Sequence, residues 1–228
     1  MLPQWRAGVS ERGLAVAFDT PSRCLSSAVV GGGCCEVLGF ANRRVDDADR
    51  AALNTPEKLS ADFAQRRGLK TNHVGMLTAA SMRSLRIAAA DIEGERLCLF
   101  VTAGLANARR AGDLADCPRL WPDCPAAGTI NLALATTLAL TPAAQAETLA
   151  TLTEAKAAAL QALDIRSPVS QQIATGTGTD ASAVFCTSVG EPLRYTGKHT
   201  RFGEYAARLV IDALTDAIRP QPGWADGC

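Results

Sequence analysis

Histidine is nearly missing from this chain: its 228 residues include only His73 and His199. The eight cysteines do not compensate, because Cys34 and Cys35 are adjacent, six residues separate Cys117 from Cys124, and no Cys-x-x-Cys pair occurs. A structural zinc site draws its four ligands from such short spacings, so no protein-bound metal is expected. Net charge is missing too, since 23 basic residues balance 23 acidic ones. Without a field of one sign, nucleic acid and anionic membranes are poor partners. The longest apolar stretch, LALATTLAL at 132–140, falls far short of the roughly 20 residues of a membrane span. MLPQWRAGVSERG at the start holds no signal-peptide core. These absences predict a soluble cytoplasmic protein whose cysteines are reduced core residues. No repeat or low-complexity linker divides the sequence, and 47% hydrophobic residues suffice for one domain over 1–228.

Within that frame, strand-like apolar runs recur between turn signals at 13–18, 24–30, 36–41, 73–79, 84–91, 96–102, 129–136 and 182–188. Thr55-Pro56 and Thr141-Pro142 each offer an N-cap followed by a first-turn proline, predicting helices from 56 to about Gly68 and from 142 to about Leu163. A third helix follows Thr200, with Phe202, Ala206, Leu209, Val210, Ala213 and Leu214 on one face. Residues 46–54, 111–127 and the tail RPQPGWADGC read as irregular. Several strands precede the long helices, which predicts an α+β fold: mostly antiparallel or mixed β-sheet packed with a few long helices as an α/β sandwich.

Few stretches can carry chemistry. The run ATGTGTDA at 174–181 has no following lysine for a phosphate loop and leads into strand-like residues instead of the helix a dinucleotide fingerprint needs. If extended, it sets Thr175, Thr177 and Thr179 along one side, with Gly176 and Gly178 admitting a bulky ligand or another backbone on the other. Asp180 then points away from the threonine row unless the glycines introduce a bulge. On the 142–163 helix, Lys156 falls inside the stripe of Leu149, Leu152, Leu160 and Leu163. Its ammonium either snorkels to the surface or faces a polar site at the edge of the core. Asn107 and Asp113 lie in the polar loop after the 96–102 strand, as turn residues or ligand groups. Thr129 and Asn131 share a strand face, and Asn131 suits an amide group or an oxyanion. His199 precedes the last helix, where the positive field favours a neutral, base-competent imidazole.

VTAGLANARRAGD, GTINLAL, EAKAAAL, ATGTGTDA and GKHTRFGE, in this order and at this spacing, resemble the adenosylcobinamide amidohydrolase family, with VGMLTAA fitting as well. The resemblance spans roughly residues 20–215. It implies hydrolysis of an amide of adenosylcobinamide to adenosylcobyric acid and aminopropanol in corrinoid salvage. The cobalt arrives with the substrate, so no cofactor is implied, and the partner is a corrinoid, with homo-oligomers open. The chemistry assigns Asp180, Lys156, His199 and Asn131 to catalysis, and Asn107, Asp113, Thr129, Thr175, Gly176, Thr177, Gly178 and Thr179 to substrate binding. Either Asp180 or His199 activates water, with Lys156 or His199 protonating the amine, or a threonine of the row attacks. Asn131, Asn107 or glycine amides would hold the oxyanion. The absence of a Gly-x-Ser-x-Gly elbow tilts the expectation toward water. A non-catalytic corrinoid or small-molecule binding protein using the same pocket is the alternative.

Overall fold

The computed structural model describes residues 5–69, 72–117, 120 and 129–219. Its main sheet contains β1 (Trp5–Ser10), β2 (Gly13–Ser26), β3 (Gly33–Arg44), β4 (Val74–Thr78), β5 (Arg86–Ile92), β6 (Glu95–Ala103), β8 (Ile130–Ala139) and β10 (Ala181–Thr187). The strand order is β4-β3-β2-β10-β8-β6-β5, with β1 attached to β2. The pairs β3/β4 and β8/β10 are parallel and the others antiparallel. A second, two-stranded sheet joins β7 (Ala108–Arg109) to β9 (Gly176–Thr177). The helices are α1 (Pro56–Arg66), α2 (Pro142–Ala162) and α3 (Arg201–Ile218). This is the expected α+β class.

The long strand β2 lets the sheet fold over itself. Its ladder to β3 shifts register between Ala17 and Ser22, and Pro21 sits inside the irregularity, where it has no N–H to lose. The curl brings β3 and β4 across from β6 and β8, which are not their neighbours in the sheet. Phe40 of β3 therefore meets Phe100 of β6 and Phe185 of β10 at centroid distances of 5.2 and 5.1 Å. With Phe18, Met76 and Cys98 these rings fill the space between the two halves. Alternation sends Leu132, Leu134, Leu99 and Val184 to the other face, where they pack with Leu152 and Leu160 of α2 and Val210 and Leu214 of α3. On the outside of the other half, Phe63 of α1 packs with Ala15 and Ala41.

Sequence and structure diverge at five places. The runs at 13–18 and 24–30 belong to one strand ending at Ser26, because the Asp-Thr-Pro-Ser stretch that looks like a break is a bulge. The strand β1, outside the expected runs, alternates Trp5, Ala7 and Val9 on one face and is mostly exposed; it pairs with β2 along its whole length. Thr55 stands at the N-cap position of α1 but donates its hydroxyl to the Ala52 carbonyl instead of capping, whereas Thr141 and Thr200 accept from Ala144 N and Gly203 N at 3.1 Å. Segment 46–54 holds a 3₁₀ turn, Asp47–Asn54, capped by Asp46. Cys24, Cys98 and Cys186 are core thiols, but Cys34 is exposed and Cys35 and Cys117 are half-buried; Cys124 and Cys228 lie outside the described residues, as do most of the 111–127 segment's second half and most of the tail. Among the described residues no helix is long and apolar enough to cross a membrane.

Candidate functional site

The parallel strands β8 and β10 begin at the same end of the sheet, Asn131 opposite Ala181. β6 ends there, Ala103 opposite Ile130. The segment before β10 is not the extended row its alternation suggests. Only Gly176 and Thr177 are strand, paired with Arg109 and Ala108; the chain then turns through Gly178 and Thr179, so that Asp180 folds back toward Thr177. The turn replaces the threonine row with a carboxylate cage. Asp180 Oδ1 accepts from Ile130 N at 2.9 Å and from Thr177 Oγ1; its Oδ2 accepts from Thr177 N at 3.0 Å and from Lys156 Nζ.

Lys156 enters this cage from α2. It is 6% exposed, so its ammonium faces the polar site and does not snorkel. Gly176 makes the approach possible: a Cβ there would lie 2.3 Å from Asp180 Oδ2 and 2.9 Å from Lys156 Nζ. Gly176→Ala should therefore separate the pair, lowering turnover at least tenfold together with the melting temperature, as read by steady-state assay and calorimetry. Unchanged turnover and melting would show that the pair tolerates the methyl group.

Around the cage, Thr129 and Thr179 share a hydroxyl hydrogen bond of 2.8 Å. Asn131 lies on the opposite face of β8 from the cage, one residue beyond the Ile130 N–H that holds Asp180. Its Nδ2 donates to Asn42 Oδ1 at 2.8 Å and to the Leu77 carbonyl at 3.0 Å. With both amide hydrogens engaged, Asn131 has no donor left for an oxyanion; its Oδ1 is buried without a partner. Asn107 differs, because both its Nδ2 and its Oδ1 are buried without a partner. It sits against the turn, with Nδ2 3.1 Å from where a Cβ of residue 178 would be, so a side chain at 178 would press on the amide.

Thr175 and Asp113 hold the loop that carries Asn107. Thr175 N donates to Arg109 O and its Oγ1 accepts from Ala111 N, both at 2.9 Å. Asp113 accepts from Ser167 Oγ and from Arg110 N. Hydrogen bonds from Ser167 and the Arg110 amide hold its carboxyl below the ordinary aspartate range. This is the turn-residue role that the sequence allowed for Asp113. Asp113→Ala should speed amide hydrogen exchange across 107–116 and raise KM several-fold while sparing kcat; unaltered exchange would remove the tether.

His199 stands elsewhere. It is exposed at the start of α3, beside Gly197, whose Cβ position is 2.6 Å from Glu147 Oε1 and 3.3 Å from His199 Nδ1. Glu147 precedes Lys156 by nine residues on α2, about 13 Å along the axis and half a turn around it. The imidazole is thus not brought to the Lys156–Asp180 pair. The sequence reading passed over Asn42 and Thr102, which join Asn131 in one buried network through Asn42 Nδ2 donating to Thr102 Oγ1 at 2.9 Å. Only the polar Asn42 closing the apolar run 36–41 hinted at it.

Fold and site define an α+β protein with a buried lysine–aspartate–threonine centre at the end of a curled sheet. The chain belongs to the adenosylcobinamide amidohydrolase family, whose model matches residues 4–226. An adenosylcobinamide amidohydrolase of Methanosarcina mazei is 29% identical over 169 residues, covering 70% of this chain and 73% of that one. One of Halobacterium salinarum is 33% identical over 153 residues, 63% of this chain and 57% of that one. An uncharacterized protein of Methanocaldococcus jannaschii is 34% identical over 170 residues, 68% of this chain and 66% of that one. The match to this last relative thus spans slightly less than two thirds of its length.

Proposed function

We propose that this chain hydrolyses the aminopropanol amide of adenosylcobinamide to give adenosylcobyric acid in corrinoid salvage. The observation that carries the chemistry is the Thr177 hydroxyl donating to Asp180, itself paired with Lys156. A nucleophile in hydrogen-bond contact with a carboxylate, oriented by a third group, is the arrangement covalent catalysis needs.

The geometry favours attack by Thr177 over attack by water. Four donors already surround the Asp180 oxygens, so a water would have to displace one of them, whereas the Thr177 proton is already directed at Oδ1. In this reading Thr177 Oγ1 adds to the amide carbon as its proton passes to Asp180. The C–N bond then breaks, and that proton leaves on the aminopropanol nitrogen. Water hydrolyses the acyl-threonine ester, releasing the acid and restoring the hydroxyl. Lys156 offsets the negative charge of the carboxylate before it takes the proton and again once the proton has left on the amine. Asn107 Nδ2, a buried donor without a partner, is suited to the tetrahedral oxyanion. The cobalt belongs to the substrate and takes no part in these steps.

Incubation of the purified protein with adenosylcobinamide should yield adenosylcobyric acid and free aminopropanol by mass spectrometry. Tight binding with the amide left intact would instead establish a corrinoid-binding protein.

A further inference from the structure

The outside of the β1–β2 half carries a second concave site. On the ladder between these strands Arg6 stands opposite Ala17 and Gly8 opposite Ala15, and residues paired in this way project to one face. It is the face on which Phe63 of α1 packs against Ala15. One turn further on, α1 ends in Arg66 and Arg67. Strands and helix end border a groove of about 500 Å³, with Arg6, Arg66 and Arg67 along it and a floor that includes Gly8, Ala15, Ala17 and Leu69. The groove opens to solvent, since Arg6, Gly8, Arg66 and Arg67 are all exposed. It is distinct from the Lys156–Asp180 cage, which lies past the Pro21 bulge, near the Ser26 end of β2 where that strand meets Ser182.

Among the described residues three guanidiniums and no carboxylate line this groove. Arg6 approaches Asp19 only to 3.8 Å, with its side chain 84% exposed, so most of its donors face water. Arg66 also borders a neighbouring recess with Asp46, Asp49 and Asp62. There Asp46 and Asp49 are taken by Arg12 and Arg43, and among the described residues neither Arg66 nor Arg67 forms an ion pair. The negative end of the helix dipole accounts for basic residues at the close of α1. It does not account for a third guanidinium that a strand brings to the same floor. Arg67 Nη2 lies 3.5 Å from where a Cβ of residue 8 would stand, so Gly8 leaves open the space beneath it. Like charges gathered without a counter-charge repel one another, and a bound anion removes that cost.

We infer that this groove binds the phosphate chain of a di- or triphosphate. Planar guanidiniums match phosphate oxygens in bidentate pairs. The volume lies in the range of small-molecule sites and far exceeds one phosphate, while the glycine, alanine and leucine floor leaves the polar recognition to the arginines. Inorganic pyrophosphate and a nucleoside diphosphate share the chemistry that these groups read.

Calorimetry with the full chain, using inorganic pyrophosphate and ADP at pH 7.5 and 0.15 M salt, tests the site under conditions that screen a diffuse surface field beyond about 8 Å. At least one of the two should bind one per chain with a Kd below about 1 mM. Equal affinities would assign recognition to the phosphate chain alone, and ADP tighter by tenfold or more would add the nucleoside. Arg67→Gln and Arg6→Gln should each weaken binding at least tenfold. Gly8→Leu changes no charge and fills the floor, so it should weaken binding as much. Arg208→Gln removes the same charge from α3, away from the groove, and should change affinity less than twofold. Failure of both ligands to bind, binding that survives Arg67→Gln and Gly8→Leu, or an equal loss in Arg208→Gln would overturn the site and leave only a patch of surface charge. None of these readouts uses corrinoid turnover, so the proposed hydrolysis and this site stand or fall separately.

Discussion

Asp180→Asn should cut turnover of adenosylcobinamide at least a hundredfold and destabilise the fold by about 3–5 kcal/mol, the cost of breaking a buried ion pair on one side. The side chains of Lys156 and Asp180 are 8% and 12% exposed, so solvent cannot take over either charge. An amide at position 180 also turns an NH2 toward donors: wherever it points, it meets Lys156 Nζ and Thr177 N on one side or Ile130 N and Thr177 Oγ1 on the other. Lys156→Met should act similarly on rate but less on stability, because the carboxylate keeps three of its four donors. The double variant should regain stability relative to Asp180→Asn without regaining activity, since the methionine removes the orphaned ammonium. Urea unfolding and single-turnover kinetics read the two effects separately. Near-normal turnover in Asp180→Asn would take the carboxylate out of the mechanism.

Thr177→Val should be as damaging to rate and nearly silent in stability. Valine keeps the shape of threonine and loses only the hydroxyl, while the Thr177 N–H to Asp180 remains. If Thr177 forms the acyl-enzyme, turnover should fall at least a thousandfold, and wild-type protein quenched during turnover should carry the corrinoid acyl mass on the peptide containing Thr177. If water attacks and the hydroxyl only steadies Asp180, the loss should stay near tenfold and no adduct should form. Thr177→Ser separates the cases further, because a serine hydroxyl in the same place retains a nucleophile and should keep much of the activity.

Lys156 shows how far periodicity alone could go. The angular spacing on α2 placed a charge inside an apolar stripe, which is informative because burying an unpaired ammonium is prohibitive. It could not name the partner, since Asp180 lies 24 residues on in another element and no local pattern links them. The same limit explains the threonine row. Alternation predicts sides for an extended chain, but the Asp180 carboxylate gathers two bonds from Thr177 by bending back, and four charge-assisted or backbone donors outweigh two residues of strand pairing. His199 shows the converse: its cap was legible at Thr200, but the distance to the pair was not.

What the sequence determined by itself is what depends on neighbours along the chain. The α+β class, the proline-led starts of α2 and α3's cap, the apolar faces of β6, β8 and β10, and the glycine-loosened entry before Asp180 all follow from local periodicity, capping and steric freedom. Tertiary structure alone decided which polar groups meet. The curl at Pro21 folds β3 over β6 and β8, bringing Asn42 across 60 residues to Thr102 and 89 to Asn131, and α2 crosses the sheet end where Gly176 leaves room for Lys156. These are contacts between elements, set by the bulge in one strand and the packing angle of one helix, and a hydrogen bond formed across such distances leaves no trace in the spacing of the residues that make it.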